Sequence, residues 1–250
     1  MSTANTVHAS SEPDNNYHYK RFTTGLLFRD MSFGKEAANP GDSFPPFELT
    51  TTSGDRLLSI DVFADKPVLF IFGSMTCPMT ASAAPSVQDL YEEFGDRVDF
   101  IMLYVREAHP GELIPQAETM QEKIAHAKAL KELYDIEWTV AADNIDGDLH
   151  RALDPKPNSA FLTNGEGIIL FRSLWAADHE ALRTALNLTL AGKTLERKQS
   201  DSFIGPVMKA VAKVQEVMNR GGPQAVRDLW TAFFPMALAG WIVAQFSKSR

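Results

Sequence analysis

The sequence predicts an α/β fold in which helices cover a central sheet. Three observations predict it. Val68-Leu69-Phe70-Ile71-Phe72 is an unbroken apolar run, which suits a strand buried on both faces. Stretches with strand character alternate with stretches of helical spacing, the pattern of a layered α/β sandwich. Asn164-Gly165 separates Ser159–Leu162 from Ile168–Phe171, a strong hairpin signal because both residues tolerate the left-handed backbone a tight turn needs.

The elements follow in order. Residues 1–20 are polar and carry no apolar run, so no secretory signal is expected there. Residues 1–36 read as a mobile arm, in which Phe22–Met31 has a weak pattern for docking on the body. Phe47–Thr50 and Arg56–Ile60 flank the turn residues Thr52-Ser53-Gly54-Asp55 and predict a hairpin. Pro67 opens the apolar strand, and Gly73–Thr76 makes a short loop. A helix is predicted from Cys77 to Phe94, with Pro78 at its first position and a kink at Pro85. Val98–Val105 reads as the next strand, Arg106–Ile114 as a loop, 115–134 as a helix and Trp138–Ala141 as a short strand. The hairpin across Asn164-Gly165 and a helix over 178–191 complete a body spanning 37–195. Residues 196–250 read as a helical extension. Val207, Val211, Val214 and Met218 give it an amphipathic helix, Gly221-Gly222-Pro223 breaks it, and Leu229–Phe246 carries no formal charge. That last stretch admits a membrane contact, a dimer contact or docking on the body.

Composition narrows the function. The chain has 250 residues, 44% of them apolar and 22% charged, as in ordinary globular proteins. A net charge of −8 argues against nucleic acid as a partner. A single cysteine, Cys77, rules out an internal disulfide and a multi-cysteine metal cage, and a lone thiol fits a reducing, cytoplasmic setting. His126, His150 and His179 are scattered without metal-ligand spacing. Asp143, Asp146 and Asp148 only faintly resemble a calcium loop, since the closing Glu is missing. No metal is expected, and no bound cofactor.

Cys77 falls where a buried strand gives way to a helix. The unpaired N–H groups and partial positive charge of a helix N-terminus favour thiolate over thiol, so its pKa is expected to fall. Ser74 and Thr76 are placed to donate to the sulfur. The competing reading is a small buried hydrophobe, the usual state of a free cysteine. Glu107 and His109 lie two apart just past a strand end, and persisting strand geometry would point both the same way. His109 is then the proton carrier near neutral pH, and Glu107 its orienting partner.

The segment 41–190 resembles the thioredoxin-like redoxins, and more closely the iodothyronine deiodinases. Those carry Phe-Gly-Ser-x-Thr, a selenocysteine and then Pro; here the run is Phe72-Gly73-Ser74-Met75-Thr76-Cys77-Pro78. They also carry an apolar strand ending in Tyr and a Glu-Ala-His-Pro segment, matched by Phe100–Tyr104 and Glu107-Ala108-His109-Pro110, with Ile114-Pro115-Gln116 as a further short piece. The resemblance implies a thioredoxin-like sandwich with an N-terminal hairpin. Cys77 takes the place of the chalcogen nucleophile, assisted by Ser74 and Thr76, with Glu107 and His109 lining the site. Pro78, beside the sulfur, and Pro157, at the place of the cis-proline of the redoxins, are expected to touch substrate. The reaction implied is reductive dehalogenation of an aromatic small molecule. With no second cysteine, an external thiol, glutathione or a thioredoxin-like donor, must reset the sulfur.

The chain also departs from that family. Cysteine is a weaker nucleophile than selenocysteine at equal geometry. Ala117 stands where the animal enzymes have His after the Gln, and Ser159 where an Arg follows the proline. The polar N-terminal residues show no counterpart of the animal enzymes' membrane anchor. A one-cysteine thiol peroxidase is the related alternative, and a non-enzymatic redoxin-like module tethered by its C-terminal helices is the alternative of another class.

Overall fold

The computed structural model describes residues 17–247. In chain order the elements are α1 (Thr24–Asp30), β1 (Glu48–Thr51), β2 (Arg56–Leu58), α2 (Ser59–Val62), β3 (Val68–Gly73), α3 (Pro78–Phe94), β4 (Asp99–Tyr104), α4 (Met120–Leu133), β5 (Thr139–Ala142), α5 (Asp148–Ala152), β6 (Ala160–Thr163), β7 (Ile169–Ser173), α6 (His179–Leu190), β8 (Gln199–Ser200), α7 (Ile204–Gly221), α8 (Pro223–Ala232) and α9 (Phe234–Ser247). The strands form one sheet in the order β2-β1-β5-β4-β3-β6-β7-β8. β3, β4 and β5 run parallel, and β6 is antiparallel to β3. This is the thioredoxin-like α/β sandwich that the sequence predicts, with both hairpins in place: β1 with β2 and β6 with β7.

The apolar run behaves as a strand covered on both faces. Leu69 and Ile71 enter the core beneath α3, α4 and α6, while Val68, Phe70 and Phe72 enter the opposite core with Phe44, Phe47 and Phe161. β4 divides the same way, with Phe100, Met102 and Tyr104 on one side and Ile101 and Leu103 on the other. That is the period-two alternation of a strand with helices or loops on each face. β3 and β4 are in register from Val68↔Asp99 to Gly73↔Tyr104. Their C-terminal ends therefore lie side by side, where α/β sheets hold their ligands, and the loops 74–77 and 105–109 emerge next to each other.

One expectation about the N-terminal end of the chain needs correction. Residues 17–36, taken as part of a mobile arm, are packed on the body: Tyr17, Phe22 and Asp30 are buried. Arg106 causes much of this. It lies over the rings of Tyr17 and Tyr19 at 4.9 and 5.1 Å and donates to Tyr17 O at 2.7 Å. On the far side, Arg21 Nε donates to the buried carboxylate of Asp228 at 2.8 Å, and the Phe22 N–H donates to Asp228 Oδ2 at 3.2 Å. Residues 1–16 lie outside the described residues.

The uncharged stretch 229–246 is not one helix. The backbone breaks at Phe233 (φ −148°, ψ 64°) between α8 and α9, and Pro235 follows at the second position of α9. Among the described residues no helix is long and apolar enough to cross a membrane. Lys248 and Arg250, the basic residues beyond the stretch, lie outside the described residues. α7 packs along α3 and α9, and Gly240 of α9 sits so close to Val214 that a Cβ would overlap it. These helices close over the sheet's C-terminal edge.

Candidate active site

Cys77 is the N-cap of α3, in extended conformation (φ −101°, ψ 113°), with Pro78 at the first helical position. The N–H groups of Met79 and Thr80 and the Thr80 hydroxyl face the sulfur and pull its pKa down, although the sulfur accepts no cap hydrogen bond. Gly73 makes room for this, because a Cβ there would collide with the Thr80 side chain and Met102. The Thr80 Oγ1 in turn accepts from the Ser74 N–H at 3.3 Å. Thr80 was not singled out from the sequence, although a residue three positions into a helix is where an N-cap atom finds its partner.

The expected low thiol pKa is not found. Cys77 is buried, and burial pushes its thiol up to about 11 against the pull of the three donors. Loss of water penalises the thiolate more than the helix terminus favours it. Ser74 and Thr76 do not serve the sulfur. Ser74 Oγ accepts from the Ala108 N–H at 3.3 Å, and the Thr76 hydroxyl donates to Glu107 Oε2 at 2.6 Å.

Glu107 and His109 also part company. The strand ends at Tyr104, so the alternation that would align them does not persist. Glu107 turns beneath the loop that carries the cysteine and accepts from the Thr76 N–H (2.9 Å), the Thr76 hydroxyl and the Tyr104 hydroxyl. Its backbone is clamped by Gln116, whose Oε1 accepts from the Glu107 N–H at 2.8 Å and whose Nε2 donates to the Glu107 carbonyl at 2.9 Å. His126 of α4 brings its Nδ1 to 3.6 Å from Glu107 Oε1. An imidazole thus reaches this carboxylate although position 117 is Ala. Glu107 fixes the Thr76–Cys77 turn and does not orient His109.

His109 faces the other way, into a cavity that it shares with Cys77. Its backbone N–H donates to Thr76 Oγ1 at 3.1 Å, and its ring lies on Phe22 at 4.1 Å. Burial with no hydrogen-bond partner for Nδ1 among the described residues lowers its pKa to about 3, so the imidazole is neutral. Pro78 and Pro157 line the same cavity, as expected. Pro157 does so without a cis bond, since every peptide bond among the described residues is trans. The neighbouring Asn158 holds the strand end instead, its Nδ2 donating to Phe72 O at 2.9 Å. The rest of the wall is mostly apolar and comes from α1, α7, α8 and α9, including Leu27, Val207, Leu229 and Met236.

Asp30 was missed. It is the last residue of α1, it is buried, and it lines the cavity. Burial raises its pKa to about 6, against the opposing pull of Arg106, Arg29 and Lys156. Nothing in the local sequence marks it, because much of its environment is assembled from residues far along the chain, Arg106 and Lys156 among them. The faint calcium loop is a turn: Asp143 accepts from the N–H groups of His150 and Asn144 at 2.9 and 2.8 Å. Among the described residues no acidic or histidine cluster could hold a metal ion.

The sequence profile of the family "Iodothyronine deiodinase" matches residues 17–170. The chain is 32% identical over 116 residues to the type II iodothyronine deiodinase of Fundulus heteroclitus, covering 40% of this chain and 43% of that one. To the thyroxine 5-deiodinase of Gallus gallus it is 29% identical over 117 residues, covering 42% and 43%. It thus spans less than half the length of these curated relatives. Among solved structures, an uncharacterized conserved protein from Geobacillus kaustophilus superposes with a TM-score of 0.54 at 18% identity, covering 64% of this chain and 87% of that one.

Proposed function

The chain belongs to the iodothyronine deiodinase family, and from that premise we propose that it is a thiol-dependent oxidoreductase that reductively dehalogenates an aromatic substrate through Cys77. The observation that carries this reading is the cavity itself. One apolar enclosure holds a thiol with its proton on and a neutral imidazole.

That protonation state suits the reaction. In the proposed step the ring carbon loses halogen to sulfur and gains a proton, so aryl iodide and Cys77–SH become arene and Cys77–S–I. The thiol proton is a reactant, and a raised pKa keeps it in the site until the substrate arrives. His109, neutral and without a partner at Nδ1 among the described residues, takes the proton from sulfur and passes it to the ring. The N–H groups of Met79 and Thr80 and the Thr80 hydroxyl stabilise the negative charge that develops on sulfur. Pro78 and Pro157 hold the ring against it. An external thiol, glutathione or a thioredoxin-like donor, then attacks Cys77 sulfur and expels iodide, and a second thiol equivalent frees the cysteine.

The same facts weigh against the peroxidase alternative. A thiol peroxidase keeps a thiolate ready before its substrate arrives, whereas burial and the charge of Asp30 both hold the proton on Cys77. The non-enzymatic alternative needs a tether in the C-terminal helices, but those helices supply cavity wall. Substrate identity rests with that wall. Much of it comes from α7, α8 and α9, which lie beyond the matched residues 17–170, so selectivity differing from that of the animal enzymes is expected.

The test is iodide release from iodinated phenols, beside hydroperoxide consumption, by purified protein with glutathione or thioredoxin as donor. Thiol-dependent iodide release that falls at least about a hundredfold in Cys77→Ser is the expected result. Full dehalogenase activity in that variant, or peroxide turnover without dehalogenation, contradicts the proposal.

A further inference from the structure

Three lining residues of the cavity carry buried polar atoms with no hydrogen-bond partner among the described residues: Asp30 Oδ1, His109 Nδ1 and Trp175 Nε1. Buried polar groups are normally satisfied, and three orphans around one apolar space mark where a ligand's polar group completes the site. His109 is accounted for by proton transfer above. Asp30 is not, and among the described residues it is the only carboxylate lining the cavity.

The Asp30 neighbourhood narrows the ligand group further. Arg29 Nε stands 3.8 Å from Asp30 Oδ1, too long for a hydrogen bond. Arg106, Lys156 and Asp154 also act on the carboxylate, and it acts in turn on Tyr19 and Cys77. Three cations against one further acid leave the surroundings of the carboxylate net positive. A ligand ammonium is therefore disfavoured there, and a ligand carboxylate would meet Asp30 itself. A neutral hydroxyl fits: it donates to Oδ1 and brings no charge into the cavity.

We propose that Asp30 is the specificity-determining anchor of this cavity, its carboxylate accepting a hydrogen bond from the hydroxyl of a phenol whose ring lies on the apolar wall beside Cys77. The inference rests on the reading that this cavity is the substrate site. It makes α1 part of that site.

The experiment compares 2-iodophenol with 2-iodoanisole, which has the same ring and iodine but no O–H. Binding to the full chain is measured by calorimetry at neutral pH without reductant. The wild type binds the phenol about tenfold more tightly than the ether. Asp30→Leu binds both equally, through loss of phenol affinity alone. Lowering the pH through about 6 protonates Asp30 and shrinks the wild-type preference, because a protonated carboxyl can donate to the ether oxygen. In Asp30→Asn the preference does not change across that range. A folded Asp30→Leu that keeps the wild-type ratio overturns the proposal, as does a wild type that binds neither ligand or shows no preference. Should Asp30→Leu fail to fold, the pH series decides, and a wild-type ratio constant through pH 6 is the overturning result. No turnover enters this measurement. Phenol preference through Asp30 without iodide release would sink the dehalogenase reading alone, and iodide release with an unaltered ratio would sink this one alone.

Discussion

Cys77, His109 and Asp30 share one cavity, and removal from water pushes each toward its neutral form. Their consequences for stability differ in sign. His109 drops from 6.5 to about 3 on folding, so its contribution is present above 6.5 and is lost as the pH falls toward 3. Between pH 6.5 and 4 the His109 contribution falls by of order 2–4 kcal/mol, read in denaturant melts as the change in the stability difference between wild type and His109→Leu, because Asp30 shifts the wild-type curve the opposite way over the same range. Asp30 rises from 3.8 to about 6. Its contribution is present below 3.8 and is lost as the pH climbs through 6, so ionised Asp30 destabilises the fold at neutral pH. Asp30→Asn should therefore raise stability at pH 8 by about 1–3 kcal/mol and change little below pH 4. A residue kept at a cost in stability is what a binding role leads one to expect. Cys77, raised from 9.0 to about 11, should alkylate slowly at neutral pH, the rate climbing about tenfold per unit toward pH 11. A labelling midpoint below pH 8 would contradict the burial argument.

At the scale of elements, the cavity depends on loops held from both sides. Glu107 pins the Thr76–Cys77 turn from below, and the end of α7 pins it from the side. Arg220 Nη1 donates to Met75 O at 3.2 Å, and the Leu113 N–H donates to Gly221 O at 3.0 Å. A Cβ at Gly111 would overlap the Gly221 carbonyl, so these two glycines permit backbone contact between loop and helix. Gly111→Ala should cost about 1–3 kcal/mol and slow turnover by displacing His109, which thermal melts and iodide release would measure together. Asp228 has the parallel task for the N-terminal segment, since it receives Arg21 and the Phe22 N–H and so keeps Phe22 against His109. Asp228→Ala should raise amide exchange across residues 21–31 and speed Cys77 labelling. Protection unchanged there would remove α1 from the site.

Over the whole molecule, what could be read in advance was what neighbouring residues encode. The β3 run, the Asn164-Gly165 hairpin and the position of Cys77 at a strand-to-helix turn follow from periodicity and turn chemistry within about ten residues. Burial of Cys77 does not, because its cover comes from Phe22 and Asp30 upstream and from Phe203, Leu229 and Met236 far downstream. The thiol pKa was misjudged for that reason: the helix terminus is local, whereas desolvation is a property of the assembled fold. Neither the approach of His126 to Glu107 nor the place of Thr80 beside Cys77 is legible in the sequence, because these pairs meet only through α4 and the first turn of α3. The central claim is that Cys77 sulfur itself takes the halogen. Intact and peptide mass spectrometry after one turnover with an iodophenol and limiting glutathione tests it most directly. The account predicts glutathione linked to Cys77 only when halogenated substrate is present, in step with iodide released. Iodide released while Cys77 stays unmodified throughout would contradict it.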